Sequence, residues 1–364
     1  MLDQIPQPPA GDSSVPADVP RVVRHQPRFS GKTGEYFGIW FVNLVLSILT
    51  LGIYSAWAKV RTERYFYANT QLGGSSFEYL AEPLAILKGR LIAYAVVIAL
   101  ALSARFAIVW YFALILALFA LMPWIIVLSL RFRARNSAWR GLSFRFIQGG
   151  GDAYGPFMGW PVLQAISGTL LYPLMKKRQH EFVAQGHRFG RKHFDFSGDA
   201  GAYYVPYAIA AGAGIVLVIA MGIVIGVTAM AGNAGAGKTP APGTGMIVAM
   251  LGFYLVFFAL AVFLRVRYTN LLWNNTRLGA HRFESTLRAR DMMWLYASNI
   301  VAIVCTIGLA VPWAMVRLAR YRAEHFVAAT SGSIEDFMAD AQGAQDATGA
   351  ELVDALDLGA DFGF

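Results

Sequence analysis

The octapeptide GNAGAGKT, at residues 232–239, matches the phosphate-binding pattern GxxxxGK[ST] at every fixed position. In nucleotide-binding enzymes this pattern joins a strand to a helix, and its backbone N–H groups hold the phosphates. Here the octapeptide follows a long apolar run, and Pro240 and Pro242 stand where the phosphate-binding helix should begin. No acidic residue lies in 231–264 to hold magnesium. We therefore predict no nucleotide at 232–239 and interpret this stretch as a flexible connector.

Histidines, carboxylates and the single cysteine are the other groups that could do chemistry. The six histidines show no HxxxH or HExxH spacing, and Cys305 lies in an apolar run, which argues against a metal cluster. Glu78, Asp195 and Glu284 occupy similar positions in three loops, but ion pairs with nearby arginines are the simpler interpretation. The sequence thus predicts no catalytic residue, no metal and no cofactor, and we expect the protein not to be an enzyme.

Polar side chains inside apolar segments are stronger candidates, because burying them in lipid is costly. They lie in three segments: Asn43, Ser47 and Thr50 in the first, Gln164 in the second, and Asn299 and Thr306 in the third. The first three are spaced i, i+4, i+7 and share one helical face. Hydrogen bonding that fixes helix packing is the favoured interpretation, and a permeation pathway is the alternative.

Composition indicates which elements must position these groups. Of the 364 residues, 56% are hydrophobic and 15% are charged, which is far from the composition of soluble domains. The clear apolar runs are Phe106–Leu130, Tyr203–Ala231, Met246–Leu264 and Met292–Val316, and the weaker ones are Phe37–Ala58, Leu84–Ala104 and Pro156–Met175. Runs of this length predict an all-α polytopic membrane protein.

The two ends of the chain differ from the centre. Residues 1–28 have no apolar core and are predicted to be a disordered leader rather than a signal peptide. Residues 29–326 are the predicted membrane domain. Residues 327–364 are a predicted disordered tail, and 331–364 hold eight acidic residues and no Lys or Arg. We expect the basic loops to contact anionic lipid headgroups rather than nucleic acid, and the tail is a candidate site for a protein partner.

Internal repeats are the most informative feature. Residues 43–65 align without gaps to 299–321 with ten of 23 positions identical, and 69–79 align to 275–285 with six of eleven identical. Tryptophan followed by two arginines in each copy is typical of interfacial anchors. These anchors are Trp57, Arg61, Arg64, Trp313, Arg317 and Arg320. The stretch LGGSSFEY predicts a small hairpin, and we expect short β-hairpin-like segments in the basic cytoplasmic loops.

The pattern TLGIYSAWAKVRTERYFYANTQLGGSSFEY, with its echo TIGLAVPWAMVRLARY, resembles the YjgN-like family of bacterial inner-membrane proteins, a group of unknown function. The resemblance covers about residues 29–326. It implies a multi-pass protein of the bacterial cytoplasmic membrane. It implies no chemistry, so no catalytic residue is transferred.

Charge predicts the topology. Basic residues concentrate in 59–83, 131–155, 176–202, 265–291 and 317–325, which should all face the cytoplasm together with both termini. Seven simple crossings would place some of these loops outside. We therefore predict that 37–58, 156–175 and 292–316 follow a re-entrant or interfacial course at their Gly and Pro breaks. Inverted-topology repeats are the alternative.

Two functions fit these features. A transporter- or channel-like protein is favoured by the repeats, the helix breaks and the intramembrane Asn and Thr residues. The alternative is a non-catalytic membrane scaffold or regulator that acts through its basic loops and acidic tail.

Overall fold

The computed structural model describes residues 22–233, 244–332, and Glu335, Phe337, Met338 and Ala341 of the C-terminal segment. The first 21 residues of the predicted leader lie outside the described residues, as does most of the octapeptide at 232–239. The described chain is mostly helical and also contains one continuous antiparallel sheet.

Ten α-helices follow one another along the described chain. They are α1 Thr33–Leu49, α2 Ser55–Ala68, α3 Pro83–Phe106, α4 Ile108–Arg135, α5 Trp160–Ile166, α6 Tyr172–Gly186, α7 Ala200–Asn233, α8 Thr244–Asn274, α9 Ala289–Cys305 and α10 Val311–Glu324. A 3₁₀ turn at Gly151–Ala153 and a π-helical turn at Gly155–Gly159 precede α5. Four segments are long and apolar enough to cross a membrane: Pro83–Phe106, Ile108–Arg135, Ala200–Val227 and Met246–Asn274.

The three segments predicted to be re-entrant each break into two helices, which form the hairpins α1–α2, α5–α6 and α9–α10. In the first, Leu51 and Gly52 adopt φ of 49° and 91°, which ends α1 and turns the chain. Asn43 Nδ2 then donates to the Ala58 carbonyl oxygen at 3.3 Å, so the two helices lie side by side. The apolar run Met292–Val316 breaks in the same way at Ile307, which is 95% exposed at the tip of its hairpin.

Eleven short strands form the sheet. They are β1 Val22–His25, β2 Arg28–Phe29, β3 Thr70–Leu72, β4 Ser75–Tyr79, β5 Ser137–Trp139, β6 Leu142–Phe146, β7 His187–Phe189, β8 Lys192–Phe196, β9 Thr276–Leu278, β10 His281–Ser285 and β11 Phe326–Ser331. Their order across the sheet is β1-β11-β10-β9-β8-β7-β6-β5-β4-β3-β2. The predicted helical membrane architecture and the hairpins in the basic loops are present, but the all-α class and the short hairpin-like segments understate the β structure, because the hairpins of successive loops also pair with one another.

Strong curvature follows from the position of the first two strands. β1 and β2 occupy opposite edges of the sheet, yet only two residues separate them in the chain. The Cα atoms of His25 and Arg28 can therefore be at most about 11 Å apart. The sheet must bend until its edges lie near each other, which gives it an inner and an outer face.

The sheet also brings the basic connections together. All five predicted basic connections either contribute strands to it or lead directly into one. Its strands have two to six residues, whereas a strand that crosses a bilayer needs about 9–11. The sheet therefore favours a common side for these connections, as the predicted re-entrant topology requires, and inverted repeats stay the alternative. Strand β1 lies within residues 1–28, and β11 begins at Phe326 and runs into 327–331, so the sheet includes residues on both sides of 29–326.

Single-cysteine labelling checks this arrangement. In a Cys305→Ala background, cysteines at the exposed turn positions Gly74, Gly141, Arg191 and Ala280 should all react with a membrane-impermeant maleimide from the same side of the membrane. Labelling of any one of them from the opposite side would contradict the single sheet.

Candidate functional site: an aromatic chamber within the sheet

Four hairpins of the same build supply the inner face of the sheet. Each has a strand of three residues, a two-residue turn and a strand of five residues. Side chains alternate between the two faces of a strand, so the third residue of each strand points inward in all four hairpins. These eight residues are Leu72, Phe77, Trp139, Phe144, Phe189, Phe194, Leu278 and Phe283, and all of them line one cavity.

This cavity, which we call the chamber, has a volume of about 720 Å³. That is within the range of roughly 300–1,000 Å³ found for small-molecule sites. The sheet forms most of its wall, and the C-terminal ends of α2, α8 and α10 close the end next to the membrane helices, with Phe66, Trp273 and Ala323 among the lining residues. The turns of the hairpins surround its other end, which we call the distal mouth.

Ring contacts hold the wall together. Phe283 stacks on Phe194 and on Phe326 with centroid distances of 5.9 Å, and Trp273 meets Phe283 edge-on at 5.9 Å. Offset and edge-on pairs of this kind are worth about 0.5–1.5 kcal/mol each beyond the area they bury. The wall of the chamber therefore has a defined shape, and it suits an apolar or partly apolar ligand.

A few polar groups interrupt the apolar lining. Arg265 and Arg322 reach the chamber from α8 and α10, and neither guanidinium has an ion-pair or hydrogen-bond partner among the described residues. His25 Nε2 is buried and likewise has no hydrogen-bond partner in the described part of the chain. His281 is also buried, and its Nδ1 accepts a hydrogen bond from the Ser331 backbone N–H at 3.2 Å. The two arginines make the membrane-proximal end able to attract an anionic group.

The intramembrane asparagines act within their own hairpins. Asn43 and Asn299 are 5% and 6% exposed, and Asn299 Nδ2 donates to the Ala314 carbonyl oxygen at 3.5 Å. Arg317 donates to Asn299 Oδ1 at 3.1 Å, so both the oxygen and the nitrogen of the Asn299 amide have a hydrogen-bond partner. The matching Arg61 donates to the Tyr54 hydroxyl instead, and Asn43 Oδ1 lacks a partner among the described residues. Neither asparagine lines the chamber.

The threonines cap the turns of the hairpins. Thr50 Oγ1 donates to the Leu46 carbonyl oxygen at 2.7 Å and accepts from the Tyr54 N–H at 2.9 Å. Thr306 makes the matching pair of bonds in the third hairpin. In the second hairpin Ser167 has this role, and Gln164 supplies a backbone acceptor. These hydrogen bonds lie within single hairpins, as the packing interpretation expects, and a permeation pathway at these residues stays the alternative.

Removing these caps should weaken the hairpins. We expect Thr50→Val and Thr306→Val to lower the free energy of unfolding by about 1 kcal/mol each, because each leaves a turn N–H without its acceptor. Thermal melting of the purified protein measures this. Ser47→Ala is the matched control, since the Ser47 side chain makes no hydrogen bond with the described residues. Equal effects of all three substitutions would contradict the capping role.

The predicted anchors all have partners on the protein. The Arg317 guanidinium lies 5.1 Å from the Trp313 ring centroid, and Trp57 stacks on Tyr54 at 6.2 Å. The remaining two arginines bind backbone carbonyl oxygens: Arg64 that of Ala81 at 3.5 Å, and Arg320 that of Gly31 at 3.4 Å. Their contact with lipid headgroups stays a prediction.

Two partly buried histidines outside the chamber have shifted pKa values. No group of three or more His, Cys, Asp or Glu side chains among the described residues could hold a metal ion. Burial lowers the pKa of His187, whose Nδ1 lies 2.6 Å from the Val183 carbonyl oxygen. Burial, with a smaller effect from Lys176, lowers the pKa of His180 to about 4, so this ring is neutral beside the Tyr203 hydroxyl.

Sequence reasoning missed the chamber. It predicted a hairpin at LGGSSFEY and hairpin-like segments in the basic loops, but not that four hairpins of one build would pair into a common wall. The missing signal was a phenylalanine five residues after a large apolar residue, repeated in all four loops, as in Trp139 and Phe144 or Phe189 and Phe194.

Comparison with known proteins agrees with the membrane character of the chain. Residues 24–355 match the family described as "Bacterial protein of unknown function (DUF898)". The chain is 27% identical over 350 residues to the inner membrane protein YjgN of Salmonella typhimurium, a match that covers 82% of this chain and 86% of that protein. It is 36% identical over 106 residues to the YjgN of Escherichia coli K12, covering 29% of this chain and 22% of that protein. No solved structure matches the chain. The chain therefore belongs to the DUF898 family of bacterial proteins of unknown function.

Proposed function

We propose that this protein is a transporter-like component of the bacterial inner membrane that takes an amphipathic anion from the bilayer into its chamber. The location rests on its apolar helices and on relatives that are named inner membrane proteins. The observation that carries the function is a cavity of about 720 Å³ with an aromatic wall directly beside the membrane helices.

The lining indicates the class of ligand. Eight inward-facing apolar residues favour an acyl chain or another apolar body, because they offer apolar area without hydrogen-bond partners. Arg265 and Arg322 lie at the membrane-proximal end and favour an anionic headgroup on the same molecule. A single-chain anionic lipid combines both features.

Photolabelling tests binding. The probe is a lysophosphatidic acid that carries a diazirine in its acyl chain, added to membranes that contain the full-length protein. We expect mass spectrometry to find adducts on the inward-facing strand residues, such as Phe144 and Phe194, and competition by unlabelled lipid. Adducts confined to the long apolar helices would contradict the chamber as the binding site.

A second measurement tests movement. In proteoliposomes, a lysophosphatidic acid with a nitrobenzoxadiazole label is reduced by dithionite only in the outer leaflet. We expect the protein to increase the fraction that becomes reduced over time. Photolabelling of the chamber without any change in leaflet exchange would overturn the transport role and favour the non-catalytic scaffold.

We propose the non-catalytic scaffold as the alternative because of the charges on the outer face of the sheet. The outward-facing side chains of the sheet carry both signs, as at Glu78, Arg145 and Asp195. Such a surface suits a polar protein partner, but it does not explain the chamber.

A further inference from the structure

Three residues of the C-terminal segment close the distal mouth of the chamber. Phe337, Met338 and Ala341 are 8%, 6% and 2% exposed. They form one buried cluster with residues beside the hairpin turns, namely Trp139, Leu142, Phe189 and Leu278. These three side chains thus extend the apolar wall at the turn end of the sheet, and Phe337 itself lines the chamber.

Phe337 is the centre of this contact. Its ring stacks on Phe189 with a centroid distance of 5.7 Å and an interplanar angle of 8°. The His281 ring meets it edge-on at 4.5 Å, and Lys192 Nζ lies 5.4 Å from its centroid. A phenylalanine in these surroundings is an anchor of the kind that dominates peptide recognition.

Charge and close approach support the same placement. Glu335 pairs with Arg140 of a hairpin turn at 3.4 Å, in a contact where Glu335 is largely exposed. Gly190, in the next turn, has the Ala341 backbone against it, and a Cβ added there would lie less than 3.0 Å from the Ala341 carbonyl group. The acidic segment therefore packs against the basic turns, and a residue larger than glycine at position 190 would prevent this close contact.

The contact has the features of a reversible one. Few apolar side chains stabilise the contact, and its Arg140–Glu335 ion pair is largely exposed on the Glu335 side. Exposed ion pairs contribute little to the free energy of binding. The segment belongs to a region of eight acidic residues without Lys or Arg, which stays soluble when released. We propose that the C-terminal segment is a plug that docks Phe337 and Met338 into the distal mouth and leaves it when the chamber exchanges ligand with the aqueous side.

Docking is tested without reference to any ligand. A fluorescein-labelled peptide of residues 333–345 is added to the full-length Phe337→Asp protein and to the wild type, and its anisotropy is measured. We expect the variant, whose mouth is vacant, to bind the peptide at least roughly tenfold more tightly than the wild type, whose own segment competes. A peptide with the same Phe337→Asp change should not bind. Equal binding of both peptides, or no binding to the variant, would overturn the plug.

The proposal that the plug controls access to the chamber rests on the proposed function, and it is tested separately. Photolabelling of the chamber by the diazirine lysophosphatidic acid should rise several-fold in Phe337→Asp and return to the wild-type level with excess peptide. Glu335→Gln should change the yield by less than about twofold, because an exposed pair contributes little. Unchanged labelling despite peptide docking would overturn the gating role. If no protein is labelled at all, the proposed function fails while peptide docking still decides whether the plug exists.

Discussion

Phe283→Asp should reduce photolabelling of the chamber by the diazirine lysophosphatidic acid about tenfold or more. The phenylalanine stacks on two neighbouring rings, Phe194 and Phe326, in the middle of the apolar wall. A carboxylate at this position retains its hydration and occupies the space of the acyl chain, since an ionised group enters an apolar site only at a large cost in free energy. It also repels an anionic headgroup.

The neighbouring position provides the control. Arg282 lies on the same strand but points outward and is exposed, so Arg282→Asp brings the same charge to the other face. It should leave the labelling within about twofold of the wild type, because exposed charges interact weakly across solvent. Phe283→Trp tests whether labelling is lost because space in the chamber is lost or because the protein misfolds, since tryptophan fills the chamber without adding a charge. Labelling that falls equally in Arg282→Asp and Phe283→Asp would contradict a site on the inner face.

Gly186→Ala should lower the free energy of unfolding by about 2–3 kcal/mol, within the range for overpacked cores. Gly186 ends α6, and an added Cβ would lie less than 3.0 Å from the Phe146 ring. That ring is 6% exposed and is held between Phe182 at 5.7 Å and His187 at 5.1 Å, so it cannot move aside cheaply.

Thermal melting of the purified protein measures this effect, with an expected fall of roughly 5–10 °C in melting temperature. Gly38→Ala is the control, because no atom lies within 4 Å of a Cβ added there in α1. Alanine is favoured over glycine inside a helix by about 1 kcal/mol, so this variant should be unchanged or slightly more stable. Equal melting temperatures for the two variants would show that the Phe146 ring adapts.

The membrane class and the broken segments could be predicted because both depend on local signals. Apolar length is visible in any single run, and the breaks at Gly52 and Gly308 stand beside Thr50 and Thr306, which cap the turns. The weaker run at Leu84–Ala104 proved to be part of a full-length helix, since Lys88 and Arg90 lie in its first turns and leave the apolar remainder intact.

The sheet could not be predicted in the same way. Its strands have only two to six residues, too few for alternation to be recognised, and the pairing of β4 with β5 joins residues about 60 positions apart. The distal mouth was missed because Phe337 stands in an acidic stretch that is typical of disorder. Its partners, Phe189 and His281, come from two different loops, so only the assembled sheet creates the surface on which it packs.

The pairing of β1 with β11 also determines when folding of this protein can be completed. Val23 pairs with Thr330, so a strand made at the start of synthesis has no partner until more than 300 residues have followed it. The central hairpins can pair as soon as each leaves the ribosome, whereas the edge at β1 must wait for release of almost the whole chain. During that interval the unpaired edge and the open aromatic wall are exposed. A truncated chain that ends before Phe326 would lack β11 and leave both β1 and β10 without that partner.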